Sequence, residues 1–479
     1  MHNKKIYIET YGCSANQNNS EIMAGLLASS GYQLTNNEEN ADILILNTCV
    51  VKKKTENKIK RRIQDLSKNQ GNSDKLTIVT GCMPDSDAPA INKLNPKAKL
   101  LSSHNIKSVV KLVNDSSIGL SIVNNNHNYL INNSHSDSFN DINNNSKLSI
   151  INNNYLEKNN EEKILLPKIS FNKLISITQI SEGCLSKCSF CKTKLAKGNL
   201  FSYPQEKIIS SIENDLKNGA KEVWLTSQGN ENYGIDRGKN ELSELLKKIL
   251  NLDYKFKLRI GMMNPRHLYD ILNELIEIYK NPKVYKFLHI PIQSASNKIL
   301  KDMRRMYNIE KVEAIINKFK LAIPDITIAT DIITGYPTEN EDDHLKNIEF
   351  LKKYKPSVLN LSKFSKHKNT EADKFKELPI KIINERNKEI MNLHRKLAFE
   401  NKKVFLNKTT EVFVNKKLND NLYEARDDNY NIVLINPNNN FLINSYDENK
   451  IDENEILGKN LIVKIKQIGV HHMIGEMVN

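Results

Sequence analysis

The chain has 479 residues, 39% of them hydrophobic, which is enough for two to four domains with ordinary buried cores. Lys and Arg number 70 against 56 Asp and Glu, a formal charge of +14, and this suits either a polyanionic partner or Lys-rich solvated helix faces. The opening MHNKKIYIET has no apolar signal core and no later segment is apolar over the length of a membrane span, so secretion and membrane insertion are not expected and a cytoplasmic protein is.

Residues 1–113 alternate short apolar runs with helical ones. KIYIET is followed by a helix expected from Ser20 to a stop at Gly31, then DILILN, a basic helix from Lys52 to about Lys68, and LTIVTG. This βαβαβ pattern predicts a small doubly wound parallel sheet. Cys13, Cys49 and Cys82 each follow one of its strands, 36 and 33 residues apart, about one βα unit per step. Ligands gather at the carboxyl ends of parallel strands, so three cysteines recurring there can converge. The plainer alternative is three small apolar core residues.

Residues 114–163 are rich in Asn, with three Asn-Asn-Asn runs, and read as a disordered linker that carries no chemistry. From 164 to 402 the βα alternation returns in six longer units. The candidate strands are LISITQI, KEVWLTS, FKLRIGM, KFLHIPIQ, ITIATDIIT and SVLNLSKF, which predict a barrel short of the full eight. Their ends carry Thr226, Ser227, Gln228, Asn264, Gln293, Ser294, Ser296, Asp331, Thr334, Ser362 and Ser365, where polar side chains can point into one mouth. Residues 403–479 hold short alternating runs, TEVFVNKK, LYEARD, NIVLIN, NLIVKIKQI and MIGEMV, which read as a small β-barrel.

The sharpest signal is Cys184-x-x-x-Cys188-x-x-Cys191, after the first barrel strand. Zinc is the alternative, but it takes four ligands and no nearby Cys or His completes the set. Three thiolates hold a cubane iron–sulfur cluster with one iron left open for a ligand. The six cysteines thus fall into two sets of three, and at ligand-like spacings they fit a reducing compartment better than a disulfide framework. Phe190, directly before the last cysteine, sets an aromatic ring where an adenine could pack.

The triplet, with its aromatic before the third cysteine, resembles the radical S-adenosylmethionine enzymes. YGC at 11–13, NTC at 47–49, GC at 81–82, HIPIQSASNKILKDMRRMY at 289–307, TDIITGYPTEN at 330–340 and GVHHMIGEMV at 469–478 are similar to the methylthiotransferases among them. CSFCKTKLAKGNLFSYP at 188–204 resembles the archaeal and eukaryotic branch that modifies N6-threonylcarbamoyladenosine in tRNA, because Lys192, Thr193 and Lys194 stand where bacterial relatives carry an apolar residue and Pro. The resemblance implies a Rossmann-like N-terminal sheet, a partial (βα)6 radical SAM barrel and a TRAM-like C-terminal barrel that grips tRNA. It also implies two 4Fe-4S clusters, on Cys13, Cys49 and Cys82 and on Cys184, Cys188 and Cys191, the second binding S-adenosylmethionine. Phe190, Ser227, Gln228, Gln293, Ser294 and Asp331 are the cofactor contacts expected. A radical formed from S-adenosylmethionine would take hydrogen from carbon 2 of the adenine, and the N-terminal cluster would then provide sulfur.

An electron donor such as a ferredoxin or flavodoxin and a sulfur source are the further partners implied. Other readings are a methylthiotransferase acting on isopentenyl-adenosine or on a ribosomal protein, and a non-catalytic RNA-binding iron–sulfur protein. The chain departs from the branch at Gly229, which replaces an acid, and at Glu231, Ala295 and Thr338, which each replace a glycine. In the C-terminal barrel Lys402, Lys403, Lys408, Lys416 and Lys417, with Phe413, Tyr423 and Tyr430, form a set suited to phosphate contact and base stacking, or simply to a solvated barrel with aromatics in its core.

Overall fold

The computed structural model describes residues 4–69, 75–122, 161–437 and 456–478. They divide into two compact units, Met1–Ile169 with Leu195–Lys197, and Ser170–Lys194 with Gly198–Asn479.

The first unit runs β1 (Lys5–Thr10), α1 (Ser14–Ser29), β2 (Gln33–Leu34), β3 (Ile43–Thr48), α2 (Lys53–Asn69), β4 (Leu76–Gly81), α3 (Cys82–Leu94), β5 (Lys99–Leu100) and α4 (Val109–Ile122). The strands form one parallel sheet in the order β2-β1-β3-β4-β5. Every residue of the central strand β3 is buried, as a strand covered on both faces must be. Ile43, Ile45 and Ile78 pack with Met23, Leu27, Val109 and Leu112 from α1 and α4. The alternate residues Leu46 and Val79 pack with Ile59, Ile63, Met83 and Ile91 from α2 and α3. The period-two alternation of a strand thus sorts the helices onto two faces.

Two sequence expectations are corrected here. The first helix begins at Ser14 and not at Ser20. Ser20 is buried inside α1, where its hydroxyl accepts hydrogen bonds from Thr10 Oγ1 at 2.7 Å and Asn47 Nδ2 at 2.9 Å, so a residue type that suits helix starts here satisfies a buried polar contact instead. At the other end α4 continues to Ile122, past the boundary set at residue 113, with the apolar Val109, Leu112 and Val113 anchoring its first turns to the core. The rest of the Asn-rich tract, residues 123–160, lies outside the described residues.

In the second unit the strands β6 (Ile175–Gln179), β9 (Glu222–Thr226) and β10 (Lys257–Ile260) pair in parallel, as do β11 (Phe287–His289), β12 (Thr327–Thr334) and β13 (Val358–Lys363). Short strands β7 (Ser181–Glu182) and β8 (Phe201–Ser202) pair antiparallel after β6. The parallel bridge Leu258↔Val284 joins the two three-stranded sets into six consecutive βα units, the partial barrel expected. Its helices are α5 (Lys192–Lys197), of which Leu195–Lys197 belong to the first unit, α6 (Gln205–Lys217), α7 (Leu242–Leu250), α8 (Pro265–Leu268), α9 (Leu272–Lys280), α10 (Asn297–Asp302), α11 (Ile309–Ala322) and α12 (Glu341–Tyr354), and α13 (Ile380–Lys402) follows.

Strands β14 (Thr409–Asn419), β15 (Leu422–Arg426), β16 (Ile432–Ile435), β17 (Asn460–Ile468) and β18 (Met473–Met477) then close a five-stranded barrel in the order β14-β15-β16-β18-β17. It docks on the amino ends of the parallel strands, away from the ends where ligand loops emerge. Lys286 N donates to Asp428 O at 2.8 Å, Asn415 Nδ2 donates to Glu222 Oε1 at 2.9 Å, and the Tyr430 ring lies 4.9 Å from that of Tyr285. Among the described residues no helix is long and apolar enough to cross a membrane.

Candidate functional sites built on two cysteine trios

All six cysteines are free thiols. In the first unit each cysteine of the trio follows a strand, Cys49 and Cys82 directly and Cys13 three residues past the end of β1. Cys13 takes the N-cap position of α1, Cys49 follows β3, and Cys82 opens α3 after β4. The backbone turns needed are tight. Gly12 has φ +108°, and a Cβ there would lie 2.8 Å from Cys49 Cβ and 3.0 Å from its Sγ, so only glycine lets the first loop approach the second cysteine. Gly81, at φ +88°, would likewise drive a Cβ into Asn47 and the Thr48 carbonyl.

Three polar side chains then tie the loops together. Asn16 Nδ2 donates to Tyr11 O and Thr48 O, both at 2.9 Å, linking the first loop to the second. Asn47 Nδ2 returns a bond to Asn16 O at 2.8 Å. Thr48 Oγ1 donates to Thr80 O at 2.5 Å and accepts from Met83 N at 3.1 Å, linking the second loop to the third. Sequence reading noticed the NTC run only for its cysteine. Its Asn and Thr hold the loops in register, and their place between an apolar strand and a cysteine was the available signal.

Cys13 is exposed while Cys49 and Cys82 are buried, which sets aside the alternative of three core residues. Burial raises the Cys49 thiol and pushes Cys82 up to about 12, with neighbouring thiols adding to the effect and the buried Lys197 opposing it.

In the second unit the triplet occupies one loop between β7 and α5. Gly183, at φ +69°, starts the loop where a Cβ would collide with Asn199 O. Cys191 N donates to Cys188 O at 3.2 Å, and Ser186 N approaches Cys184 Sγ at 3.4 Å. Ser189, between the second and third cysteines, is fastened on three sides, by Met303 O through its amide, by Asp302 O at 2.9 Å and Tyr336 OH at 2.9 Å through its hydroxyl, and by Ala372 N at its carbonyl. Lys194 Nζ braces the same loop, donating to Cys184 O at 2.5 Å and Gly198 O at 2.9 Å. Burial raises Cys184 and pushes Cys191 up to about 11.

Arg305 was missed by the sequence reading although it lies inside a quoted stretch. It is buried, donates to Cys188 Sγ at 3.1 Å, and is aimed by bonds to Pro291 O at 3.0 Å and from its Nε to Tyr307 OH at 2.9 Å. A guanidinium donating to a cysteine sulfur favours the thiolate, the form that binds metal.

The expected cofactor contacts are placed unevenly. Phe190 is half-buried against Ile299, Met303, Tyr336 and Phe364. Ser227 Oγ accepts from Gly229 N at 3.1 Å, and Gln228 beside it is half-buried. Gln293, at φ +68°, lies parallel to β12, its amide donating to Asp331 O at 2.8 Å, and Ser294 is fully buried with its hydroxyl accepting from Ser296 N at 3.2 Å. Asp331 is held by His289 Nε2 at 3.1 Å and Asn360 Nδ2 at 2.7 Å. Asn264 caps α8, and Ser296 Oγ donates to Asp343 at 2.6 Å, so these two strand-end groups serve the fold.

The aromatic set of the C-terminal barrel needs correction. Phe413 and Tyr423 are buried, and Tyr430 packs among Trp224, Tyr285 and Phe287, so none of the three is a base-stacking platform. Lys402 is buried on Val470 O at 2.8 Å, and Lys417 lies over the Tyr423 ring beside Asp420. Lys403, Lys408 and Lys416 remain exposed.

Among the described residues no three His, Cys, Asp or Glu side chains converge closely enough for a single metal ion. A cubane differs in that each thiolate binds its own iron, so the sulfurs stand farther apart. Each trio has the free thiols, the mutual proximity and the low-polarity setting that such a cluster needs.

Residues 5–103 match the Uncharacterized protein family UPF0004, and residues 178–351 match the Radical SAM superfamily. A Pyrococcus horikoshii protein named "Probable threonylcarbamoyladenosine tRNA methylthiotransferase" is 34% identical over 431 residues, covering 90% of this chain and 93% of that protein. One of the same name from Archaeoglobus fulgidus is 34% identical over 99% of this chain and 98% of its own length. The Homo sapiens threonylcarbamoyladenosine tRNA methylthiotransferase is 31% identical over 99% of this chain and 74% of that protein. Among solved structures, the radical S-adenosylmethionine methyltransferase TsrM from Kitasatospora setae superposes with a TM-score of 0.51 at 10% identity, covering 78% of this chain and 74% of that one. The cobalamin-dependent S-adenosylmethionine radical enzyme OxsB superposes with a TM-score of 0.51 at 13% identity, over 82% of this chain and 56% of that one, and at such identities both likenesses are of fold alone. With a radical SAM barrel, two cysteine trios and relatives above 30% identity along most of its length, the chain belongs to the threonylcarbamoyladenosine tRNA methylthiotransferase family.

Proposed function

We propose that the protein converts N6-threonylcarbamoyladenosine next to the anticodon of tRNA to its 2-methylthio derivative. The observation that carries this reading is the pair of free cysteine trios, each held at the carboxyl ends of parallel strands, in a chain of this family. When bound, a cluster with S-adenosylmethionine at Cys184, Cys188 and Cys191 supplies hydrogen abstraction at carbon 2 of the adenine, and a second cluster at Cys13, Cys49 and Cys82 supplies sulfur.

The protein's own part is to bind, hold and shield. Arg305 donates to the Cys188 sulfur, and Lys194 and Ser189 keep its loop from spreading. Asn16, Asn47 and Thr48 do the equivalent work for the three loops of the other trio. Phe190, Ser227, Gln228, Gln293, Ser294 and Asp331 are proposed to line the cofactor and nucleoside mouth, at strand ends where such ligands belong. Lys403, Lys408 and Lys416 offer exposed charge to tRNA phosphates, and a reductant such as a ferredoxin or flavodoxin and a sulfur source complete the reaction.

The test is mass spectrometry of tRNA nucleosides from a strain lacking the protein. The 2-methylthio form of threonylcarbamoyladenosine should vanish and return with the restored gene. Its persistence in the deleted strain overturns the assignment.

A further inference from the structure

Arg305 gives the barrel triplet a buried cation, and the N-terminal trio has one of its own in Lys197. This lysine closes α5, in the part of the helix that belongs to the first unit, and is only 1% exposed. Lysines are almost never buried to that degree unless the charge is matched, because the ammonium gives up its hydration.

The backbone that delivers Lys197 is fixed from two sides. The Ala196 side chain packs in one core with Cys49, Val50, Cys82 and Met83. The Ala196 carbonyl accepts from His104 Nε2 at 2.8 Å, and the His104 amide donates to Ser102 Oγ at 3.0 Å. Beside them Ser103 donates to Asp85 Oδ2 through its amide at 2.9 Å and its hydroxyl at 2.6 Å. Asp85 lies in the first turn of α3, the helix that Cys82 opens, so the end of α5 is tied to the same element that carries a cysteine of the trio.

The ammonium acts on Cys49 and Cys82, the two buried cysteines, and favours their anionic form. Asp85 acts on Cys82 in the opposite sense, as do the other two thiols, so Lys197 offsets a crowd of like charge. A cubane on three thiolates is net anionic and takes a further negative charge on reduction. Away from water a fixed positive charge beside it stabilises the reduced state more than the oxidised one, and it also offsets the cost of keeping the thiolates together. Cys13, the exposed member, marks the open side of the trio, whereas Lys197 lies with the buried pair, a place for a permanent counter-charge and not for a group that meets substrate.

We propose that Lys197 is the counter-cation of the N-terminal trio, a positioning residue that raises the reduction potential of the cluster held there and secures its iron. The proposal rests on the reading of a second cluster at Cys13, Cys49 and Cys82.

The experiment is a redox titration followed by electron paramagnetic resonance on anaerobically reconstituted full-length protein, with iron content and melting temperature recorded for every sample. A background with Cys184, Cys188 and Cys191 replaced by Ala isolates the N-terminal signal. Lys197→Met keeps the apolar stem and removes the charge. At a given ambient potential the ratio of reduced to oxidised N-terminal cluster should then fall about tenfold, a downward shift of about 59 mV for a one-electron couple, while the barrel cluster of the otherwise native chain keeps its potential. Lys197→Gln should shift it likewise although it packs differently, and Lys197→Arg should hold the wild-type value because it keeps the charge. Loss of N-terminal iron in the Met and Gln variants, with barrel iron and melting temperature retained and Lys197→Arg intact, supports the role equally. Unchanged potential and iron in Lys197→Met overturn the proposal. Iron lost from both sites overturns it too, as does an effect that Lys197→Arg shows to the same extent, since either marks a packing role. If the background variant binds no iron at all before any change at Lys197, the second cluster itself is refuted, an outcome distinct from a cluster that ignores Lys197.

Discussion

Cys13, Cys49 and Cys82 come from three loops of a parallel sheet, whereas Cys184, Cys188 and Cys191 share a single loop of the barrel. The first trio depends on tertiary structure for its existence. Its loops meet only because β1, β3 and β4 are neighbours in register, and because Asn16, Asn47 and Thr48 bond across the gaps. The triplet needs the barrel for something else. Its cysteines are close by chain connectivity, and the fold supplies the braces, Lys194 and Ser189, and the charge, Arg305. A site assembled from distant segments is therefore vulnerable at its cross-links, and a local one at the groups that tune it.

The largest effect expected is a division of labour. Replacing Cys184, Cys188 and Cys191 together by Ala should abolish S-adenosylmethionine cleavage and remove half the iron of a reconstituted sample. Replacing Cys13, Cys49 and Cys82 should leave cleavage to 5′-deoxyadenosine largely intact while eliminating the methylthio product. Product from the second variant, measured by nucleoside mass spectrometry, would refute the separation of roles.

Next in size is the cross-link contrast. Asn16→Ala leaves the Tyr11 and Thr48 carbonyls without their donor and should cost the first unit about 2 kcal/mol, read by urea denaturation. Iron at the N-terminal trio should fall while S-adenosylmethionine cleavage persists. Equal loss of iron from both sites would refute the difference between the two trios.

Arg305 sharpens the other half. Arg305→Gln removes a positive charge that donates to Cys188 Sγ, so the barrel cluster should become harder to reduce, by on the order of 60 mV if the lost interaction is about 1.4 kcal/mol. A redox titration followed by electron paramagnetic resonance measures this, and the N-terminal cluster should hold its potential.

The effect that is smallest at neutral pH lies outside both trios and serves as their control. His394 in α13 is buried, and burial brings its imidazole down to about 4, with Lys402 and His471 acting in the same direction. The folded pKa is below the unfolded value of about 6.5, so the unfolded state binds the extra proton between those values. The stabilisation is complete above pH ~6.5 and is lost as pH falls toward 4, up to about 3 kcal/mol. A His394→Leu variant should melt with a flatter pH profile in that window, with both iron sites unaffected.

Period-two strands, helix patterning and cysteine spacing made the six barrel units, the parallel N-terminal sheet and both trios legible in the sequence, because each is written in residues close together or repeated at one βα step. Local signals misled where a residue's role depends on distant partners. Ser20 reads as a helix start but is consumed by Thr10 and Asn47, and Tyr423 and Tyr430 read as stacking surfaces but fill cores. Arg305 lies 117 residues from Cys188 along the chain, and no periodicity announces that it will meet the sulfur. Which residue types recur, and at what interval, is encoded along the chain. Which side chains share a volume or satisfy one another is decided by packing, because burial, and with it the cost of every unpaired polar group, exists only after folding.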